Sequence, residues 1–234
     1  MSIATGLLIV FLLCVGALVI VEDWRVTIPM LLAAELCRVA LMYQAALFVA
    51  TAGRVTLLAV EILTAVSVAA ILLVTAINFS RDYNTEQLDE FALMELRRAA
   101  RRSRQQHAQT TARWTSYVVP IGTVLLAGIA TLLLGQAYPV AQDRALDAAW
   151  TFGLLCGLLV LVTASDALKL GLGLLLAMSS AKLLYFGVAA RLNVLHIGLF
   201  ELLSLMFALI VAYLSGLLYG RLRTLDLSSL FERR

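Results

Sequence analysis

The stretch VTIPMLLAAELCRVALMYQAALFVA, Val26–Ala50, holds 25 residues and only two charged side chains, Glu35 and Arg38. As a helix rising 1.5 Å per residue it is about 37 Å long, enough to cross roughly 30 Å of hydrocarbon. Lipid offers no partner to free backbone groups, so a segment of this kind must be helical. The fold class follows if the rest of the chain repeats the pattern, and it does. Blocks of similar length and polarity run over Ser2–Val21, Val55–Ile77, Ser116–Leu134, Ala148–Ala164, Ala167–Ala190 and Leu195–Tyr219. The 234 residues are 62% hydrophobic and 14% charged, with a mean hydropathy of +0.94. Soluble domains are about half apolar and about a quarter charged. The expectation is an all-α, polytopic membrane protein with seven transmembrane helices, and a soluble enzyme is excluded.

The first block is read as a retained span. No Lys or Arg precedes it, and Glu22-Asp23-Trp24 follows without a small-residue cleavage site. Cys14, Cys37 and Cys156 are widely spaced within spans and read as small buried hydrophobes. Of the two histidines, His107 falls in a loop, so two axial ligands for an intramembrane haem are not present. The chain carries no Gly-rich phosphate loop and no metal or iron–sulfur spacing. No cofactor is expected in this chain, and no nucleic acid.

Charge placement sets the orientation. With the N-terminus outside, the inward segments hold Arg25; Arg81, Arg97, Arg98, Arg101, Arg102, Arg104 and Arg113; Lys169; and Arg221, Arg223, Arg233 and Arg234. The outward segments hold only Arg54, Arg144 and Arg191, and Arg38 and Lys182 fall inside spans. This bias places the C-terminus in the cytoplasm. The expected location is the cytoplasmic (inner) membrane. The long segment 78–115 is then cytoplasmic. Asn84 and Gln87 look like a helix start, Leu88, Phe91, Ala92 and Leu96 recur at helical spacing, and acids precede arginines as the helix dipole favours. Two readings of it stand: a surface helix held by anionic lipid, or a docking surface for a cytoplasmic partner.

An internal repeat divides the chain. Arg25 is followed by Glu35 and Arg38, and Lys169 by Ser179 and Lys182, at the same spacings. EILTA at Glu61–Ala65 is echoed by ELLSL at Glu201–Leu205. The expected organisation is a three-helix unit over 1–77, the loop 78–115, a linking transmembrane helix 116–134, a second unit over 135–220 and a cytoplasmic tail 221–234. The linking helix restores the direction of the second unit, making the two parallel. Two helix pairs that merely share an apolar composition are the plainer alternative.

Five charged residues, Glu35, Arg38, Glu61, Lys182 and Glu201, lie well inside spans. Each costs roughly 2.5–3.5 kcal/mol at a bilayer centre, on the order of 12 kcal/mol for the set if they faced lipid. They are expected to face one another, water or neighbouring subunits. Glu35 and Arg38, three residues apart, share a helix face. Thr64, Ser67, Ser179, Ser180 and Ser204 lie near these positions and suit water between titrating groups. His196, near the start of the last span, is a candidate for guarding such a path. Ion pairs that merely hold helix register are the structural alternative.

Two resemblances rest on these residues. Arg25–Arg38 resembles the small three-helix K-type subunit of respiratory complex I, whose second-span glutamate, part of a proton path, corresponds to Glu35. A second glutamate of that family would fall near Ser67, whereas this chain has Glu61 six residues earlier. Over most of its length the chain resembles the hydrogenase-4 component E family, whose members carry K-type units in one polypeptide. FALIV at Phe207–Val211, RLRTLDLSSL at Arg221–Leu230 and HIGL at His196–Leu199 look like that family's C-terminal motifs, with His196 in place of an acid. The Arg-rich loop is longer than that family's.

The resemblance implies a non-catalytic membrane-arm subunit of a group 4 [NiFe]-hydrogenase or a related complex I-like hetero-oligomer. Its partners would be antiporter-like membrane subunits and a peripheral redox arm holding the iron–sulfur clusters and a NiFe centre. Proton or sodium translocation would be coupled to that redox chemistry. Two alternatives remain: a subunit of a multisubunit cation/proton antiporter or inorganic-carbon uptake complex, and a self-contained small secondary transporter.

Overall fold

The computed structural model describes residues 3–21, 23–44, 51–82, 113–137, 139–141, 143–164, 166–188 and 194–222. The expected surface helix after Asn84, the remainder of the Arg-rich loop and most of the RLRTLDLSSL tail lie outside them. The described chain is helical: α1 (Ile3–Ile20), α2 (Trp24–Gln44), α3 (Thr51–Asp82), α4 (Arg113–Ala137), α5 (Arg144–Thr163), α6 (Ala167–Val188) and α7 (Val194–Leu222). All seven are long and apolar enough to cross a membrane. Their outward faces suit lipid, as shown by Leu126 at 66% exposure and Leu63 at 67%. A soluble monomer rarely leaves so many large apolar side chains uncovered.

Aspartates begin three of the helices. The Asp23 carboxylate accepts from Arg25 N at 3.0 Å and starts α2. Asp143 accepts from Ala145 N at 3.0 Å at the head of α5. Asp166 accepts from Lys169 N at 2.6 Å at the head of α6. Each satisfies one of the backbone donors that a helix start leaves free. Pro29 and Pro120 lie inside α2 and α4 rather than at their ends. Membrane helices tolerate such prolines where neighbouring groups take up the freed carbonyl.

Helices α2, α3, α7 and α6 form a closed ring, each packed on the next. Helices α1 and α5 pack on each other and cover the α2–α6 side, and α4 leans on α5 and α1 outside the ring. The α5–α6 hairpin is the tightest contact, because glycines let the backbones approach. A Cβ built on Gly157 would stand 2.8 Å from Ala177 N, and one on Gly173 2.9 Å from Leu161 N. Small residues play this part in membranes, where lipid removes any hydrophobic drive between helices.

Candidate intramembrane charge cluster

The ring encloses the charged residues. On α2, Arg38 Nε donates to Glu35 Oε2 at 2.8 Å, the pairing that their spacing predicts. The guanidinium turns inward, its Nη2 donates to Glu61 Oε2 on α3 at 2.5 Å, and Nη1 meets Met42 Sδ at 3.2 Å. The Lys182 ammonium on α6 stands 3.7 Å from the same Glu61 oxygen and donates to Glu201 Oε1 on α7. Glu35, Arg38, Glu61, Lys182 and Glu201 thus form one connected chain across four helices.

The chain is deeply buried. Arg38 is 1% exposed, Glu61 1%, Lys182 2% and Glu201 4%. Only the Glu35 side chain, at 13%, keeps partial access. Burial on this scale requires each charge to have a partner, because an isolated ion in a low-dielectric interior costs several kcal/mol or more. Three carboxylates meet two cations here, so the five groups carry one excess negative charge when all are ionised. Glu61 Oε1 is buried with no hydrogen-bond partner among the described residues. An excess carboxylate and an orphaned carboxylate oxygen together make this a natural place for a mobile proton or a bound water.

A cleft adjoins the chain, lined by Glu35, Arg38, Lys182 and Glu201, by Thr64, Ser179 and Ser204, and by apolar side chains of the ring. The space open to the centre of a water molecule is about 20 Å³, room for one or two waters. Water there would reach both carboxylates and hydroxyls.

Of the six residues singled out in the sequence, five come together. His196 does not join them: it is exposed at the start of α7 and meets the Tyr185 ring at 5.9 Å. Of the hydroxyls, Ser67 turns to Leu63 O at 2.8 Å and Ser180 to Leu176 O at 2.9 Å, away from the cleft lining. Among the described residues no group of His, Cys, Asp or Glu could hold a metal ion.

Sequence reasoning missed one buried acid. Asp147, in the first turn of α5, accepts from Val140 N at 3.1 Å, Ala141 N at 2.8 Å and Trp150 Nε1 at 3.0 Å. It ties the α4–α5 connection down onto α5. A Trp three residues beyond an acid at a helix start was the available signal.

The chain matches no known protein family, no curated protein and no solved structure.

Proposed function

We propose that this protein is a non-catalytic membrane subunit that carries protons, or sodium ions, along its buried charge chain. The assembly would resemble the membrane arm of complex I and of group 4 hydrogenases, with the redox centres in partner subunits. The observation that carries this reading is the continuous Glu35–Arg38–Glu61–Lys182–Glu201 chain with one carboxylate in excess. Apolar packing would hold four helices together at lower cost, so buried ionisable groups in a span point first to function.

In this reading Glu35 is the relay nearest to water, and Arg38 sets how readily it takes a proton. Protonating Glu35 weakens its hold on Arg38 and leaves the guanidinium to Glu61. Lys182, placed between Glu61 and Glu201, then answers to whichever carboxylate is charged. Glu61 and Glu201 serve as the further relays, one in each half of the chain.

The packing supports two repeated three-helix units, since α1 meets α5, α2 meets α6 and α3 meets α7. Arg38–Glu61 in the first would correspond to Lys182–Glu201 in the second.

The test has two stages. Tagged protein purified in mild detergent is expected to bring antiporter-like membrane subunits and a redox arm with it, as read by native mass spectrometry. In vesicles holding the assembled complex, Glu35→Gln and Glu201→Gln are expected to abolish most ion pumping, while His196→Ala leaves it intact. Unchanged pumping in both glutamine variants and in the double variant would overturn the proposal. Recovery as a lone chain would remove the complex I-like setting.

A further inference from the structure

The charge chain takes up Arg38 and Lys182 and leaves the other basic residues of α2 and α6 without a carboxylate. Arg25 is the second residue of α2 and Lys169 the third of α6. Neither has an ion-pair partner among the described residues. Lys169 is buried even so, at 8% exposure. A lysine at the end of a membrane helix ordinarily lays its stem on apolar surface and keeps its ammonium in water. One that is nine-tenths buried and unpaired calls for an anion.

Helix periodicity fixes where Lys169 lies. Gly173 and Ser180, four and eleven residues on, share its face of α6. Both meet α5: a Cβ on Gly173 would stand 2.9 Å from Leu161 N, and one on Gly153 would run into Ser180 Oγ. Lys169 therefore lies against the last turn of α5, near its C-cap Ala164. Carbonyls at a helix end carry only partial negative charge and leave a full cation unbalanced.

Arg25 stands at the same level. It precedes Arg38 by the 13 residues that separate Lys169 from Lys182, and Arg38 and Lys182 reach one Glu61 oxygen, at 2.5 and 3.7 Å. Helices α2 and α6 pack together, and packed helices stand about 8–10 Å apart. Two long basic side chains at one level can then reach a single phosphate. The Arg25 guanidinium stacks on Trp24, 5.4 Å from the ring centroid, and tryptophan favours the membrane–water boundary. The acids of this end are turned to backbone amides: Asp23 accepts from Arg25 N and Asp166 from Lys169 N. On the face of α2 that carries Arg25, Pro29 and Leu36 are exposed, an apolar strip open to an acyl chain.

We propose that Arg25 and Lys169, with Trp24, hold the phosphate of an anionic phospholipid at the face where α2 and α6 begin. Free phosphate offers the same charge, but the strip below Arg25 favours the source that brings acyl chains. The site is separate from the charge chain and stands whether or not that chain moves ions.

Native mass spectrometry of the full-length protein, with any partners that copurify, tests this. Delipidated protein is titrated with phosphatidylglycerol and with phosphatidylcholine of the same chains. The wild type is expected to retain one phosphatidylglycerol in preference to phosphatidylcholine. Equal retention of the two lipids would overturn the proposal without recourse to any variant. Lys169→Gln and Arg25→Gln are each expected to weaken that lipid about fivefold, and the double variant about thirtyfold. Lys169→Arg keeps the charge and is expected to keep the lipid. Arg101→Gln with Arg102→Gln removes as much charge from the Arg-rich loop and is expected to leave the lipid in place. Its loss there, with retention in the Arg25→Gln, Lys169→Gln double variant, would overturn the proposal. Millimolar inorganic phosphate is expected not to displace the lipid, and displacement would overturn the lipid assignment in favour of free phosphate.

Discussion

Lys182 Nζ on α6 lies 3.7 Å from Glu61 Oε2 on α3, and this contact joins the Glu35–Arg38–Glu61 group to Glu201. Its partners sit 121 and 19 residues away in the chain, so Glu201 can neutralise the ammonium once α6 and α7 pair, whereas the link to Glu61 forms only when α3 has packed beside them. The charge chain therefore acts as a check on assembly as well as a candidate path.

Removing that ammonium should be costly. Lys182→Met leaves Glu61 and Glu201 facing each other with Arg38 alone to balance three carboxylates. Breaking a buried pair in this way costs about 3–5 kcal/mol. Adding Glu201→Leu should recover part of the loss, with a coupling of roughly 0.5–3 kcal/mol. Thermal unfolding in detergent measures both. Equal stability of Lys182→Met and wild type would show that the ammonium neutralises nothing.

The α5–α6 hairpin should be sensitive to single methyl groups. A Cβ at Gly157 meets backbone atoms of Ala177 at 2.8 and 3.0 Å, which cannot rotate away. Gly157→Ala is expected to push the helices apart at a cost of about 1–3 kcal/mol. A Cβ at Gly198 meets nothing within 4 Å, so Gly198→Ala is expected to be neutral or to stabilise α7 by up to about 1 kcal/mol. Equal melting temperatures for the two variants would argue against close backbone packing in the hairpin.

Asp147 should matter for the α4–α5 connection and not for ion movement. Asp147→Ala strands the Val140 and Ala141 amides and the Trp150 indole N–H. Leaving buried donors unpaired costs about 1–3 kcal/mol. The expected readouts are faster proteolysis near residues 139–143 and a lower melting temperature, with pumping per folded complex unchanged. Lost pumping at unchanged stability would move Asp147 into the ion path.

Much of the architecture could be read without a structure. A run such as Val26–Ala50 has one stable state in lipid, because only a helix satisfies its own backbone. Seven such runs indicate the class, and the described residues hold seven helices whose bounds differ from the sequence reading by a few residues. Glu35 and Arg38 could be paired in advance for the same reason, since three residues along a helix is a local distance. The cost of a charge in hydrocarbon singled out Glu61, Lys182 and Glu201, although their partners could not be named.

Those partners were decided by packing. Whether Lys182 meets Glu61, Glu201 or both depends on how α3, α6 and α7 are rotated and set in height, and no local pattern encodes that. His196 illustrates the difference. Its residue type and its place near the start of the last span suggested a residue guarding the path; the structure sets it outside the charge cluster, beside Tyr185. Asp147 shows the converse: nothing in the sequence singled it out, because its partners, the Val140 and Ala141 amides, reach it only once the α4–α5 connection lies against α5. The sequence by itself determined which residues are too costly to face lipid, because that cost belongs to each side chain. Only the tertiary structure decided which of them neutralise one another, because ion pairing depends on distances between helices that are far apart in the chain.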